Sequence, residues 1–213
     1  MGENMKLIDL TLTGFANELA SDSPAPGGGS TAALEGALGA ALLHMVAAFT
    51  SGKAKYAEHQ PLIEEMLAES DRLKKTFIDV IDRDTEAFNN VTAVFTMPKE
   101  TEADKKARKQ AMQEALKACT KTPFEMMELA LASAELAQKS VGKTNPNTAS
   151  DFGVGALSLK AAVQGAWLNI LINVSGIEDK DFVEKYRGGG EKILARVCAL
   201  CDEMYEGVVK SLA

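Results

Sequence analysis

From Glu58 to Phe95 the chain reads EHQPLIEEMLAESDRLKKTFIDVIDRDTEAFNNVTAVF. Within it Leu62, Met66, Leu73, Phe77, Val80, Phe88, Val91 and Phe95 recur in steps of three and four, the period of a helix that buries one stripe. Continuing those steps through the gaps puts two carboxylates, Glu69 and Asp84, in the stripe. Met97-Pro98 ends the helix. A helix of this length with a single apolar face needs other helices to cover it, and the rest of the sequence supplies them.

Upstream, Ile8, Leu12, Phe15 and Leu19 keep helical spacing, predicting a first helix that ends near Ala20. The run Ser23-Pro24-Ala25-Pro26-Gly27-Gly28-Gly29-Ser30 is too rich in Pro and Gly for helix or central strand. It leads into a second helix, about Ser30 to Thr50, of Ala, Leu and Gly. Downstream, the charged segment Lys99 to Gln113 reads as a solvated helical face. Pro123 is expected to kink or restart that helix, with Phe124, Met127, Leu131 and Ala134 as its next buried face. Val141 to Ser150 is a polar loop, a fifth helix spans about Asp151 to Val174, and a last helix is expected to be interrupted at Gly188-Gly189-Gly190. No segment reads as a strand. The expectation is an all-α, single-domain helical bundle over residues 1–213.

Composition agrees. The 213 residues are 46% hydrophobic and 25% charged but only 6% aromatic, enough for a core, and a balance that favours helices over sheets. Twenty-three basic against 30 acidic residues give a net charge of -7, which argues against nucleic acid or an anionic membrane as partner. Three cysteines, Cys119, Cys198 and Cys201, do not make a disulfide framework and fit a reducing cytoplasm. The N-terminal MGENMKLIDL has no apolar run of signal-peptide length, and the most apolar stretch, about Ala37 to Phe49, is read as too short to span a bilayer.

Four constellations carry chemistry. The glycines at 27–29 let backbone N–H groups approach a ligand, and the helix N-terminus behind them favours negative charge; a tight loop that lets two helices cross would use the same residues. Neither a Rossmann turn nor a P-loop fits, because no strand precedes the glycines and no GxxxxGK[ST] is present. Asp84, a carboxylate inside an apolar stripe, must be paired, protonated or open to a cavity, and desolvation would raise its pKa toward neutrality. Its structural rival is an ion pair with a neighbouring helix, while Glu69 is expected to reach solvent. In Asn145-Pro146-Asn147-Thr148-Ala149-Ser150-Asp151, Ser150 or Asp151 is a natural N-cap, and the two Asn amides suit either a turn or the edge of a heterocycle. Asn169 and Asn173 share one face of the fifth helix, as interhelix glue or ligand contacts. Finally Gly52-Lys53-Ala54-Lys55-Tyr56 is a solvated turn or a cationic rim for an acidic substrate. His44 reads as a core histidine, Cys198 and Cys201 as helix-face thiols, and no spacing suggests a metal site.

Taken together, PAPGGGS entering an Ala/Gly helix, GKAKY, DTEAF at Asp84 to Phe88, and NPNTASDFGVGA leading to GAWLNILIN resemble the cyclodeaminase/cyclohydrolase family of folate enzymes. This family includes the C-terminal domain of formiminotransferase-cyclodeaminase and stand-alone bacterial methenyltetrahydrofolate cyclohydrolases. The resemblance covers nearly the whole chain, in order. It implies an all-helical, metal-free cytoplasmic homodimer with no bound cofactor and a tetrahydrofolate derivative as substrate. It also implies a site built from the glycine loop, the Asn loop and the long helix. By position, Asp84 matches the family's catalytic aspartate. Substrate binding falls to Pro26, Gly27, Gly28, Gly29 and Ser30, to Lys53 and Tyr56, to Asn145, Asn147 and Asp151, and to Asn169. Gly188 to Gly190 and Lys160 depart from the pattern. The many Gly and Ala residues of the fifth helix offer a face for close helix approach between protomers.

The implied reaction is hydrolysis of 5,10-methenyltetrahydrofolate to 10-formyltetrahydrofolate in one-carbon metabolism, with Asp84 as general acid/base. The rival is 5-formiminotetrahydrofolate cyclodeamination, an ammonia lyase step through the same tetrahedral carbon. With no formiminotransferase domain alongside, the hydrolase is favoured. A non-catalytic helical adaptor is the third reading, and Asp84 in the stripe argues against it.

Overall fold

The computed structural model describes residues 6–213; Met1 to Met5, part of the stretch read for a leader and of the 1–213 domain, lie outside the described residues. Six α-helices follow one another: Leu12–Leu19 (α1), Gly28–Ala48 (α2), Gln60–Phe95 (α3), Glu102–Ser140 (α4), Ala149–Val174 (α5) and Lys180–Leu212 (α6). Short 3-10 turns at Leu7–Asp9, Ala54–His59 and Pro146–Thr148 join them, and there is no strand among the described residues.

α2 lies at the centre, packed along α3 on one side and α5 on the other, while α4 and α6 close the bundle behind them. Its Ala and Gly composition is what allows this. A Cβ at Gly36 would strike the fully buried Phe77 ring of α3. At Gly39 one would press on Leu159 and the Gly155 carbonyl of α5, and at Gly165 one would meet Ala32. Gly155 and Gly165 of α5 are therefore used inside the chain against α2, and Gly153 against Val208 of α6. α2 runs antiparallel to both neighbours: Ser30 bonds Ile81 near one end, and His44 Nδ1 lies 3.1 Å from the Leu67 carbonyl toward the other. His44 is the satisfied histidine expected.

By length and composition alone α2 and the segment Pro146–Val174 would suffice to cross a membrane, which corrects the reading of the apolar run as too short. Half of α2's most apolar window is buried within the bundle, so packing accounts for much of that apolarity.

Other expectations need correction. The α3 stripe holds from Met66 to Val80, but Phe88 and Phe95 are exposed. At about 1.5 Å per residue, the 36 residues of α3 outrun the 21 of α2, leaving the last turns of α3 without the partner that covers the rest. Pro123 does not break α4, which is continuous. Proline has no N–H for the carbonyl four residues back, and here that orphan, Cys119 O, accepts from Asn173 Nδ2 on α5 at 3.0 Å. Asn173 is thus interhelix glue with an identifiable task. The glycines at 188–190 do not interrupt α6; Gly189 and Gly190 admit the rings of Phe124 and Trp167 against the helix. Lys160 of α5 pairs with Asp202 of α6 at 2.5 Å, and Cys198 and Cys201 carry no disulfide.

Candidate active site

Asp84 faces the first turn of α2. Ser30 Oγ donates to the Ile81 carbonyl at 3.1 Å and lies 3.3 Å from Asp84 Oδ2 and 3.2 Å from Thr85 Oγ1; the Ser30 backbone N–H also points to the carboxylate. Gly29 has no room for a side chain, since a Cβ there would overlap the Asp84 carboxyl group. Gly27 caps the helix, and its carbonyl accepts from Thr31 N–H and Oγ1. The glycine loop is therefore what lets a carboxylate sit directly under a helix N-terminus.

Two opposing influences act on that carboxyl. Burial disfavours its charged form and dominates, so its pKa is raised above the ordinary aspartate value of 3.8, while the hydrogen bonds from Ser30 pull it down. Among the described residues no cation pairs with it directly. Arg83, next in sequence, turns away to hold Glu125 of α4 through two 2.8 Å hydrogen bonds and Asp79 at 2.7 Å. Glu69 is paired with Arg72 at 2.9 Å near solvent, as expected. The ion-pair alternative for Asp84 is not what the chain builds. Cys119 lies close enough that the Asp84 charge, after burial, helps push its thiol up to about 11.

Asn169 completes this end of α2. Its Nδ2 bonds the Gly165 carbonyl at 2.9 Å and stands beside Gly28, 3.7 Å from where a Cβ would lie. Gly28, Gly29, Ser30, Asp84 and Asn169 thus come together, with Pro26 and Gly27 next to them along the chain. Thr85 belongs with them and was missed, although its place next to Asp84 and its hydroxyl were visible in the sequence.

The remaining candidates gather elsewhere. Asn145 N–H donates to Thr50 Oγ1 at 2.9 Å and its Nδ2 to the Phe49 carbonyl, just past the far end of α2. Gly29 and Thr50 are 21 residues apart, about 30 Å along the helix. The expected single site is therefore two clusters in one chain, because helices α2 and α5 run the whole length between the loops that carry them. At the second cluster Lys53, Asn147 and Asp151 line a cleft of about 480 Å³ with Met45 and Phe49. Asn145 is buried and its side chain is committed to the loop, where Oδ1 also accepts from Asn147 N–H at 3.1 Å. Tyr56 is buried and lines a neighbouring cleft of about 410 Å³ with Lys55, Phe152 and Val208. Ser150 and Asp151 are not the N-cap of α5; Thr148 takes that position, and Asp151 sits in the first turn, favourable to the helix dipole. Among the described residues no three His, Cys, Asp or Glu side chains cluster as metal ligands would.

Fold and site define an all-helical protein with a half-buried carboxyl, its pKa raised by burial, beneath a glycine-opened helix N-terminus. Residues 11–191 match the formiminotransferase-cyclodeaminase family, and the chain belongs to that family. It is 39% identical over 198 residues to methenyltetrahydrofolate cyclohydrolase from Methylorubrum extorquens, covering 93% of this chain and 95% of that one. It is 32% identical over 184 residues to formimidoyltransferase-cyclodeaminase from Mus musculus, covering 86% of this chain but only 34% of that longer protein. The crystal structure of formiminotetrahydrofolate cyclodeaminase from Thermotoga maritima superposes with a TM-score of 0.79 over 96% of both chains, at 28% identity.

Proposed function

We propose that this protein hydrolyses 5,10-methenyltetrahydrofolate to 10-formyltetrahydrofolate. The likeness to a cyclohydrolase over nearly its full length supports the substrate. The observation that carries the chemistry is Asp84, held under the α2 N-terminus by Ser30 with its proton affinity raised by burial.

The substrate carbon lies between N5 and N10 and shares their positive charge. Asp84 as a carboxylate stabilises that cation and takes a proton from water as the oxygen bonds to the carbon. The tetrahedral carbinol then breaks its bond to N5, and Asp84 returns the proton to that nitrogen. The carbinol O–H proton leaves to solvent as the formyl C=O forms on N10. One water enters, one C–N bond breaks, and one proton is released. Gly28, whose missing Cβ meets only Asn169 Nδ2 at 3.7 Å, allows a flat ring to approach the carboxyl closely, and the Asn169 amide reads its edge.

A second reading has a specific observation behind it, the structural match to a cyclodeaminase. There ammonia leaves the same tetrahedral carbon, and the same carboxyl serves as acid and base.

The experiment mixes purified protein with methenyltetrahydrofolate and follows loss of its near-ultraviolet chromophore, beside Asp84→Asn. Loss far above the buffer rate that is abolished by the substitution is the expected result. Appearance of the chromophore from 5-formiminotetrahydrofolate instead moves the assignment to the deaminase, and activity unchanged in Asp84→Asn overturns the mechanism.

A further inference from the structure

We propose that the basic pocket at the tip of the α3/α4 hairpin is a subsite for a glutamate tail on the folate, with Lys99 and Arg108 setting the preference for tail length. The inference rests on the folate reading above and names the part of the substrate that this end of the molecule selects.

α3 and α4 reach past the first turn of α2, and at their tip Lys99, Lys105, Arg108 and Lys109 line a pocket of about 360 Å³ whose one acidic lining residue is Glu178. On a chain of net charge -7 this is a local reversal of sign. The pocket is also braced. Arg108 Nε donates to the Val94 carbonyl at 3.1 Å, which ties α4 to the last turn of α3 and leaves the terminal guanidinium nitrogens without a partner among the described residues. On the other wall Gln113 Nε2 donates to the Gly176 carbonyl at 2.8 Å, and its Oε1 accepts from Glu178 N–H at 2.7 Å, so the α5/α6 loop is held in place. Lys99 and Arg108 form no ion pair among the described residues, while Lys105 and Lys109 meet only the exposed Glu102 and Glu178, each at 2.7 Å. Exposed pairs hold weakly, so all four cations can turn to an incoming polyanion. The Arg108 fork matches a carboxylate with two parallel donors.

Position selects the occupant. Val94 lies ten residues beyond Asp84 on α3, about 15 Å at the helical rise. An aminobenzoyl-glutamate arm is as long as an extended peptide of three to four residues, about 10–14 Å. A folate with its reacting carbon at Asp84 therefore carries its first carboxylates to the edge of the pocket, and each further glutamate reaches deeper among the lysines. The path between is apolar. Asp84, Phe88, Val91 and Phe95 fall within about 60° of one another around α3, and past Asp84 this stripe has lost α2, which begins at Gly28. Phe88 and Phe95 are exposed there and offer the aminobenzoyl ring an aromatic bed. An inorganic anion would meet the charge and leave that stripe uncovered, and a single glutamate would leave most of the lysines unused.

Steady-state kinetics with two tail lengths test this. KM and kcat are measured for monoglutamyl and pentaglutamyl methenyltetrahydrofolate with the wild type, with Lys99→Gln/Arg108→Gln, and with Lys121→Gln/Lys192→Gln, which removes the same charge at exposed positions elsewhere. The wild type is expected to favour the pentaglutamyl substrate through a KM about tenfold lower, the sum of several weak ion pairs. Lys99→Gln/Arg108→Gln loses that preference with kcat held, the mark of binding that is equal in ground and transition states, and the control variant keeps it. Binding is read separately by calorimetry with aminobenzoyl-pentaglutamate, which lacks the reacting carbon. It should bind the wild type, fail on the Lys99/Arg108 variant, and resist displacement by an equal concentration of inorganic phosphate. Equal KM for the two tails, or a preference that survives in the Lys99/Arg108 variant, overturns the subsite and leaves the hydrolysis standing. Displacement by phosphate also overturns it, since the pocket would then take any small anion. If neither folate is turned over but aminobenzoyl-pentaglutamate binds through Lys99 and Arg108, the enzymatic reading falls and the tail subsite stands; no turnover and no binding overturns both.

Discussion

Asn173→Ala tests how α4 survives a proline at its centre. In the native chain Cys119 O lacks the N–H of residue 123, which is proline, and Asn173 Nδ2 donates to it at 3.0 Å. Cys119 is buried, so removing the amide strands a carbonyl that water does not readily reach. An unsatisfied buried polar group costs about 1–3 kcal/mol, which for a chain of this size lowers Tm by about 2–4 °C per kcal/mol. The decisive comparison is the same substitution in a Pro123→Ala background. Alanine restores the N–H that the Cys119 carbonyl needs, so Asn173→Ala should there cost about 0.5 kcal/mol or less, the residue of lost packing. Pro123→Ala carries its own packing cost, since Pro123 is buried, but the double-mutant cycle removes it. Urea unfolding followed by circular dichroism, at a slope shared by the four proteins, supplies the numbers. Equal losses in both backgrounds would refute the argument, because Asn173 would then contribute nothing that a proline makes necessary.

Asp84→Asn should unfold at a higher urea concentration than wild type at pH 7.5. Burial raises the folded-state pKa above the ordinary 3.8, so the wild-type penalty grows as pH rises through that range and is absent below it; the gain should vanish near pH 3. Turnover should for the same reason fall on its acidic limb at a pH above the ordinary aspartate value, a pH–rate profile being the measurement. Gly36→Ala should cost about 1–3 kcal/mol in the same urea assay, because its Cβ would strike Phe77, and Phe77→Leu in the same chain should recover part of it.

The periodicity of the long helix was legible because burial and helical repeat coincide from Met66 to Val80. Its last turns were not, since nothing in Phe88 or Phe95 announces that α2 ends before them. Proline and glycine misled for a related reason. Local rules assign Pro123 a kink and Gly188 to Gly190 a break, whereas Asn173 repairs the first from another helix and Phe124 and Trp167 fill the space of the last two glycines. Asp84 stood out because its neighbours in the stripe are apolar, a contrast within one helix. The division of the other site residues was invisible, because a list of motifs carries no distances. It follows only when α2 and α5 are seen to run antiparallel between the two loops.

Chemistry and packing meet at Gly29. A carboxyl buried with no donors would stay protonated and be a useless base, and one held by many amides would stay ionised and be a poor acid. Asp84 has burial raising its proton affinity and the Ser30 N–H and hydroxyl lowering it, the balance that the proposed hydrolysis asks of a group that takes a proton and gives it back. That balance requires the α2 backbone to come closer to the carboxyl than any side chain at residue 29 allows. The glycine there serves a contact more than a turn: its backbone is ordinary helix, and it is the missing Cβ that leaves room for Asp84. The glycine loop, which as a sequence could equally have been a tight crossing between two helices, therefore sets how closely α2 approaches the Asp84 carboxyl.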